Sequence, residues 1–157
     1  MKIGGLDIIN CKIGGVQVNE IRFGSILVWS FSASPIDPDA QLFITNAAIT
    51  DVTQQNAINT LVVSLKGYGI WTKMKALYPM IGGTAFSHKF NLKNPLDTDA
   101  AFRLVFNGGW VHSNTGALPN GVNAFADTKL NTLIQGMTTA NAHLSFYGRT
   151  SSTTSDG

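Results

Sequence analysis

Glutamate occurs once, at Glu20, and cysteine once, at Cys11, in a chain of 157 residues of which only 13% are charged. A single cysteine excludes an internal disulfide framework and any zinc site built from several thiolates, and Cys11 reads as a small buried hydrophobe. So little glutamate is far from the Glu/Lys/Ala-rich make-up of helical proteins. Eleven basic residues against nine acidic ones leave a net charge of +2. They are spread thinly, so no basic patch exists to neutralise phosphates, and nucleic acid is excluded as an expected partner. No apolar run approaches the roughly 18 residues a membrane helix needs. The start MKIGGLDIIN lacks the basic region, apolar stretch and cleavage site of a signal peptide. The expectation is a chain neither membrane-bound nor secreted by that route.

What the chain does hold is 39 Ser, Thr and Asn residues, 16 Gly and 44% hydrophobic residues, a balance that points to a folded, mainly β protein with many turns. The first thirty residues repeat with a period of ten: KIGGLDIINC, KIGGVQVNEI and RFGSILVWSF, each opening on a basic residue, an apolar one and Gly. Gly4 with Gly5, Gly14 with Gly15 and Gly24 with Ser25 supply turn positions. Val16, Val18 and Ile21 suit short strands between them. The reading is a β-meander over residues 1 to 31. Such a module has too few apolar side chains to offset the entropy of ordering its backbone. It is therefore expected to be ordered only against another chain or subunit, with Ile21, Phe23, Leu27 and Trp29 on or near that contact and Trp29 covering the open face.

Residues 32 to 40 close a stretch, FSASPIDPDA, that has two prolines and no periodicity, and read as a linker or exchanged arm. Beyond it, Ile58, Leu61, Val62 and Leu65 stand at helical spacing, with Thr50 or Asp51 able to cap the start and Gly67 placed to end it. After Gly69 the pattern turns to short runs, WTKMKALYPMI, FSHKFNL, AFRLVF and HLSFYGR, separated by Gly, Asn and Pro turn pairs, which suggests a sandwich or barrel over residues 41 to 157. Trp71, next to Tyr68 and Tyr78, is expected to seal the helix onto that sheet. Only about four to six strands are available where a sandwich uses about seven. The domain thus reads as truncated or completed by neighbours. The tail TSSTTSDG has nothing to bury and is expected to fray.

KGYGIWTKMKALYPMIGGT (66 to 84), HKFNLKNPLDTDAAFRLVF (88 to 106) and GGWVHSNTGALPNG (108 to 121) follow one another in an order that resembles a domain of structural proteins of tailed bacteriophages, especially those of Bacteroides-like and flavobacterial hosts. The resemblance spans about residues 41 to 150. It implies a concanavalin-like (LamG-like) jelly roll in a head-fibre, tail-fibre or other virion appendage, usually longer at the C-terminal end, with trimers favoured. RFGSILVW (22 to 29) is similar to the ends of small β modules in phage tail and fibre proteins. On this reading residues 1 to 31 anchor the protein to capsid or tail in the virion, and the later domain works as an appendage or host-attachment module.

Concanavalin-like folds include glucanases, and glycoside hydrolysis uses two carboxylates, one protonated and one ionised. With Glu20 in the repeat module, the candidates are Asp97, Asp99 and Asp127. Asp97 and Asp99 follow a proline, where Asp caps a turn more often than it binds Ca²⁺ or catalyses. His88, His112 and His143 stand apart in sequence without HExxH or neighbouring ligands, and GxSxG and Walker-type loops are absent. No enzyme, metal or cofactor is expected. NGGWVHSNTGALPNG is the best candidate for contact with a host surface polysaccharide: Trp110 offers an apolar face to a sugar ring, and Asn107, His112 and Asn114 offer hydrogen bonds. The competing role for Trp110 is packing behind the Gly-Gly turn.

Overall fold

A computed structural model describes residues 35 to 149, together with the backbone of the strand positions between residues 2 and 30 and the turn residue Ser25. The chain divides into two compact units, Met1–Asp37 and Pro38–Gly157.

In the first unit, β1 (Lys2–Ile3) pairs with β2 (Leu6–Asp7), β3 (Cys11–Ile13) with β4 (Val16–Val18), and β5 (Glu20–Phe23) with β6 (Ile26–Ser30), all antiparallel. The innermost partners are Ile3 with Leu6, Ile13 with Val16 and Phe23 with Ile26. Each ladder therefore begins on either side of the two-residue Gly-Gly or Gly-Ser pair of its decapeptide. The repeat makes three separate two-stranded hairpins. Ile21 lies opposite Trp29, and Arg22 opposite Leu27, with a register shift between the two pairs. The side chains of Ile21, Phe23, Leu27, Trp29 and Cys11 lie outside the described residues, as do residues 31 to 34 and the tail from 150 to 157.

The second unit opens with α1 (Pro38–Asn46), so the stretch expected to be a linker ends inside a helix. Pro38 takes the first helical position, where its missing N–H is no loss, and Asp39 favours the positive end of the helix dipole. Ala40, Phe43 and Ile44 form the buried face, which Ala47 and Ile49 extend beyond the helix end. α2 (Val52–Gly67) packs against α1, capped by Asp51, whose carboxylate accepts from Gln54 N at 2.8 Å, and buries Ile58 and Val62 one turn apart. Trp71 begins a 3₁₀ turn (Trp71–Lys73) after α2 and is buried there, with Lys93 Nζ 4.0 Å from the centre of one face. It closes the end of a helix and not, as expected, a helix–sheet seam.

Residues 74 to 104 carry one α-helical turn, α3 (Ala85–His88), and one 3₁₀ turn (Asp99–Ala101), and otherwise run as irregular chain. Their backbone groups need partners outside regular ladders. Asn91, fully buried, supplies four: its Oδ1 accepts from Leu77 N (2.9 Å) and Lys93 N (3.0 Å), and its Nδ2 donates to Lys75 O (3.3 Å) and Ala101 O (3.0 Å). Beside it, Leu92 N bonds Leu77 O, Tyr78 Oη donates to Phe102 O, and Phe90, Leu92, Ala101 and Leu104 enter the core.

β7 (Val105–Asn107) then pairs antiparallel with β10 (Phe125–Asp127), and β8 (Trp110–Ser113) with β9 (Gly116–Pro119). The expectation of antiparallel strands thus holds at the level of small sheets. Among the described residues every sheet has two strands, none closes into a barrel, and helices carry much of the buried apolar surface. The physical reason is the long irregular stretch held by Asn91, which occupies sequence expected to form strands. HLSFYGR is likewise without strand structure.

Asn91→Ala removes the partner of two part-buried N–H groups and of two carbonyls, one of them buried, and is expected to lower unfolding free energy by about 2 to 4 kcal/mol. Urea denaturation checks this, and a loss below about 0.5 kcal/mol would remove Asn91 from its organising role.

Candidate functional site

The described side chains with the most distinctive chemistry gather where α3 meets the β7 and β8 strands. Thr84 and Ser87 form a reciprocal capping box around α3, which sets His88 at its last position. Gly82 and Gly83 lead into this turn at φ of 86° and 76°, and a Cβ on Gly82 would stand 2.6 Å from Ser87 Cβ. On the other side, Gly108 takes φ of 75° against the Asn123 backbone, turning the chain from β7 into β8. Along β8, Trp110 and His112 alternate with exposed Val111 and Ser113, so they share the half-buried face.

The outcome is a cluster of four rings. His88 Nδ1 and His112 Nδ1 lie 2.9 Å apart, Phe106 meets Trp110 and His112 edge-on at 5.2 and 4.7 Å between ring centres, and Trp110 stacks on His112 at 6.3 Å. His88 is only 1% exposed, and its Nε2 has no hydrogen-bond partner. That orphan decides the tautomers. An N–H buried without an acceptor costs more than a bare ring lone pair, so the proton of His88 belongs on Nδ1, donating to His112 Nδ1, and His112 carries its own on Nε2.

A further proton has no good place. On His88 Nε2 it puts a charge in the interior, and on His112 Nδ1 it meets the His88 proton. Burial first, and the neighbouring His112 second, push the His88 pKa down to about 4, and burial lowers that of His112 as well. The pair is a neutral clasp between α3 and the β8–β9 hairpin.

His88 and His112 were expected to stand isolated, and the fold brings them together. No sequence signal marks a contact between a helical turn and a strand 24 residues apart. His143 lies on the exposed segment from 142 to 149, outside the cluster. Of the proposed glycan residues, Trp110 donates its Nε1 proton to Asn107 O at 2.9 Å and packs on Phe106, so packing claims most of its ring. Asn107 turns its amide to Val105 O. Asn114 is exposed in the turn between β8 and β9, where its Oδ1 fills the space a Cβ on Gly83 would need. The structure therefore joins Trp110 to His112 but does not converge Asn107 and Asn114 on one ligand position.

The three candidate carboxylates meet cations. Asp97 accepts from Lys89 Nζ at 2.5 Å and Arg103 Nη1 at 2.8 Å, Asp99 from Arg103 Nε at 2.9 Å, and Asp127 from Lys129 Nζ at 2.8 Å. Asp97 thus closes an ion-pair network where a turn cap was expected. Its bonds to Lys89 and Arg103 hold its pKa below the usual carboxylate value, and the bond to Lys129 does the same for Asp127. Among the described residues no three His, Cys, Asp or Glu side chains are grouped to hold a metal ion, and no helix is long and apolar enough to cross a membrane.

Because the folded-state pKa of His88 is depressed, the unfolded chain binds more protons between about pH 4 and the ordinary histidine value of 6.5. The stability from the clasp is present above that value and is lost as pH falls through the window, in total on the order of 3 kcal/mol. Urea denaturation across that range should show the decline in the native chain and a flatter profile in His88→Phe. A native chain equally stable at both ends would contradict the clasp. Comparison with protein-family models, with curated proteins and with solved structures finds no match to this chain.

Proposed function

We propose that the protein is a structural component of a tailed-phage virion, a head- or tail-associated appendage. The N-terminal hairpin module is its attachment element to capsid or tail proteins, and the second unit is its display domain. The observation that carries this reading is that every sheet among the described residues is a two-stranded ribbon. Such ribbons are marginal in water until a third strand or a covering layer joins them. Neighbours in an assembled appendage supply that cover, to the hairpin module as to the second unit, and the resemblance of residues 41 to 150 points to the same setting. In that setting the concanavalin-like jelly roll is completed by neighbouring subunits, and several copies, a trimer by the same resemblance, associate around the attachment point. The reading assigns no reaction, because Asp97, Asp99 and Asp127 are bonded to cations where a glycosidase keeps one carboxyl protonated.

A second reading, a lectin for host surface polysaccharide, draws on the Trp110–His112 stack, which leaves both rings partly open beside the exposed Asn114.

Mass spectrometry of purified virions followed by localisation in a virion map tests the first reading. The expected result is the chain at a head or tail position with residues 1 to 31 against the particle. Absence from purified particles would overturn it. Retention of the isolated protein on host polysaccharide, lost in Asn114→Ala, would favour the second.

A further inference from the structure

Residues 142 to 149 form a segment with strand composition and no strand. Leu144, Phe146 and Tyr147 are 94%, 91% and 83% exposed, and Leu144 and Phe146 fall two apart, on one side of an extended chain. None of the segment's backbone groups is hydrogen-bonded among the described residues. In its own chain the segment meets the β8–β9 hairpin at the tip, where Arg149 Nη1 donates to Thr115 O at 2.9 Å. That hairpin has the complementary defect. Its strands pair only with each other, leaving open edges, and its solvent face presents Val111 and Leu118, directly opposite one another and 65% and 52% exposed.

We propose that residues 142 to 149 add as a strand to the β8–β9 hairpin of a second copy of this chain, setting Leu144 and Phe146 beside that copy's Val111 and Leu118. Three observations select a second copy as the occupant. One chain carries both halves of the contact, an unpaired apolar strand and an open-edged apolar hairpin, so each copy gives a segment and receives one, and the contact closes in a pair or a ring. Arg149 is the segment's one Lys, Arg, Asp or Glu, which leaves little for an electrostatically recognised partner to meet. The area also suffices. In a reciprocal pair Leu144 and Phe146 of each copy, with the Val111 and Leu118 surface they cover, bury on the order of 1,000 Å², the size a specific interface needs.

The contact goes beyond the virion reading and stands without it: solution mass tests one, and position in the particle tests the other. Sedimentation of the full chain at tens of micromolar is expected to give a multiple of 16.8 kDa. The double variant Leu144→Asp, Phe146→Asp should return it to the mass of one chain. Both side chains are exposed in the monomer, so circular dichroism and the thermal midpoint of that variant should match the native monomer obtained on dilution. Hydrogen exchange supplies a second reading: amides of residues 143 to 149 should be protected in the assembled protein and unprotected on dilution. A native chain that stays monomeric at those concentrations, assembly that survives the double variant, or a segment unprotected within an assembly would each overturn the proposal.

Discussion

A buried primary amide organises the second unit. Between Gly69 and Leu104 the chain forms few regular ladders, yet it passes through the core, where every backbone N–H and C=O needs a partner. Asn91 resolves that conflict because one amide offers two donors and a two-lone-pair acceptor, and all are used on residues up to sixteen positions away. Fixing Lys75, Leu77, Lys93 and Ala101 around one side chain sends Phe90 and Leu92 inward. Three residues before Asn91, the same placement sets His88 at the end of its capped turn, facing His112.

Burial is uneven along the unit. The fully buried apolar side chains run from Ala40 to Leu104, while from Val111 onward large apolar residues such as Val122, Leu133, Leu144 and Phe146 face solvent. Exposed apolar surface on this scale is what the proposed contacts with neighbouring chains would cover. The unit is thus a self-sufficient helical and irregular core carrying hairpins and a C-terminal segment that have more apolar surface than they can cover. That imbalance is the feature on which the proposed assembly role rests.

The sequence made some of this legible and hid the rest for identifiable reasons. The decapeptide period was legible as strand pairs because turn chemistry is local, whereas the β-meander read from it is replaced by three separate hairpins that do not pair with one another. α2 was equally legible through Asp51, although Tyr68 caps its end and Gly69, at φ of 69°, takes the left-handed position expected of Gly67. α1 was not, because Pro35, Asp37, Pro38 and Asp39 read as breakers, although proline and aspartate at a helix start are favourable. Asn91 looks like any loop asparagine, and nothing local distinguishes a four-bonded buried amide from a solvated one. His88 and His112, 24 residues apart, meet only in the tertiary fold. The β periodicity of HLSFYGR was visible, but a strand needs a neighbour, and the described chain offers it none.

The organising role of Asn91 is tested most directly by native-state hydrogen exchange at single-residue resolution. The Leu77 amide lies in irregular chain and donates to Asn91 Oδ1. If that amide holds the unit together, Leu77 should exchange as slowly as Val62 in the middle of α2, both opening only with global unfolding. Exchange of Leu77 at loop-like rates while Val62 stays protected would contradict the account, leaving α1 and α2 as the true core and the Asn91 junction as a peripheral attachment to it.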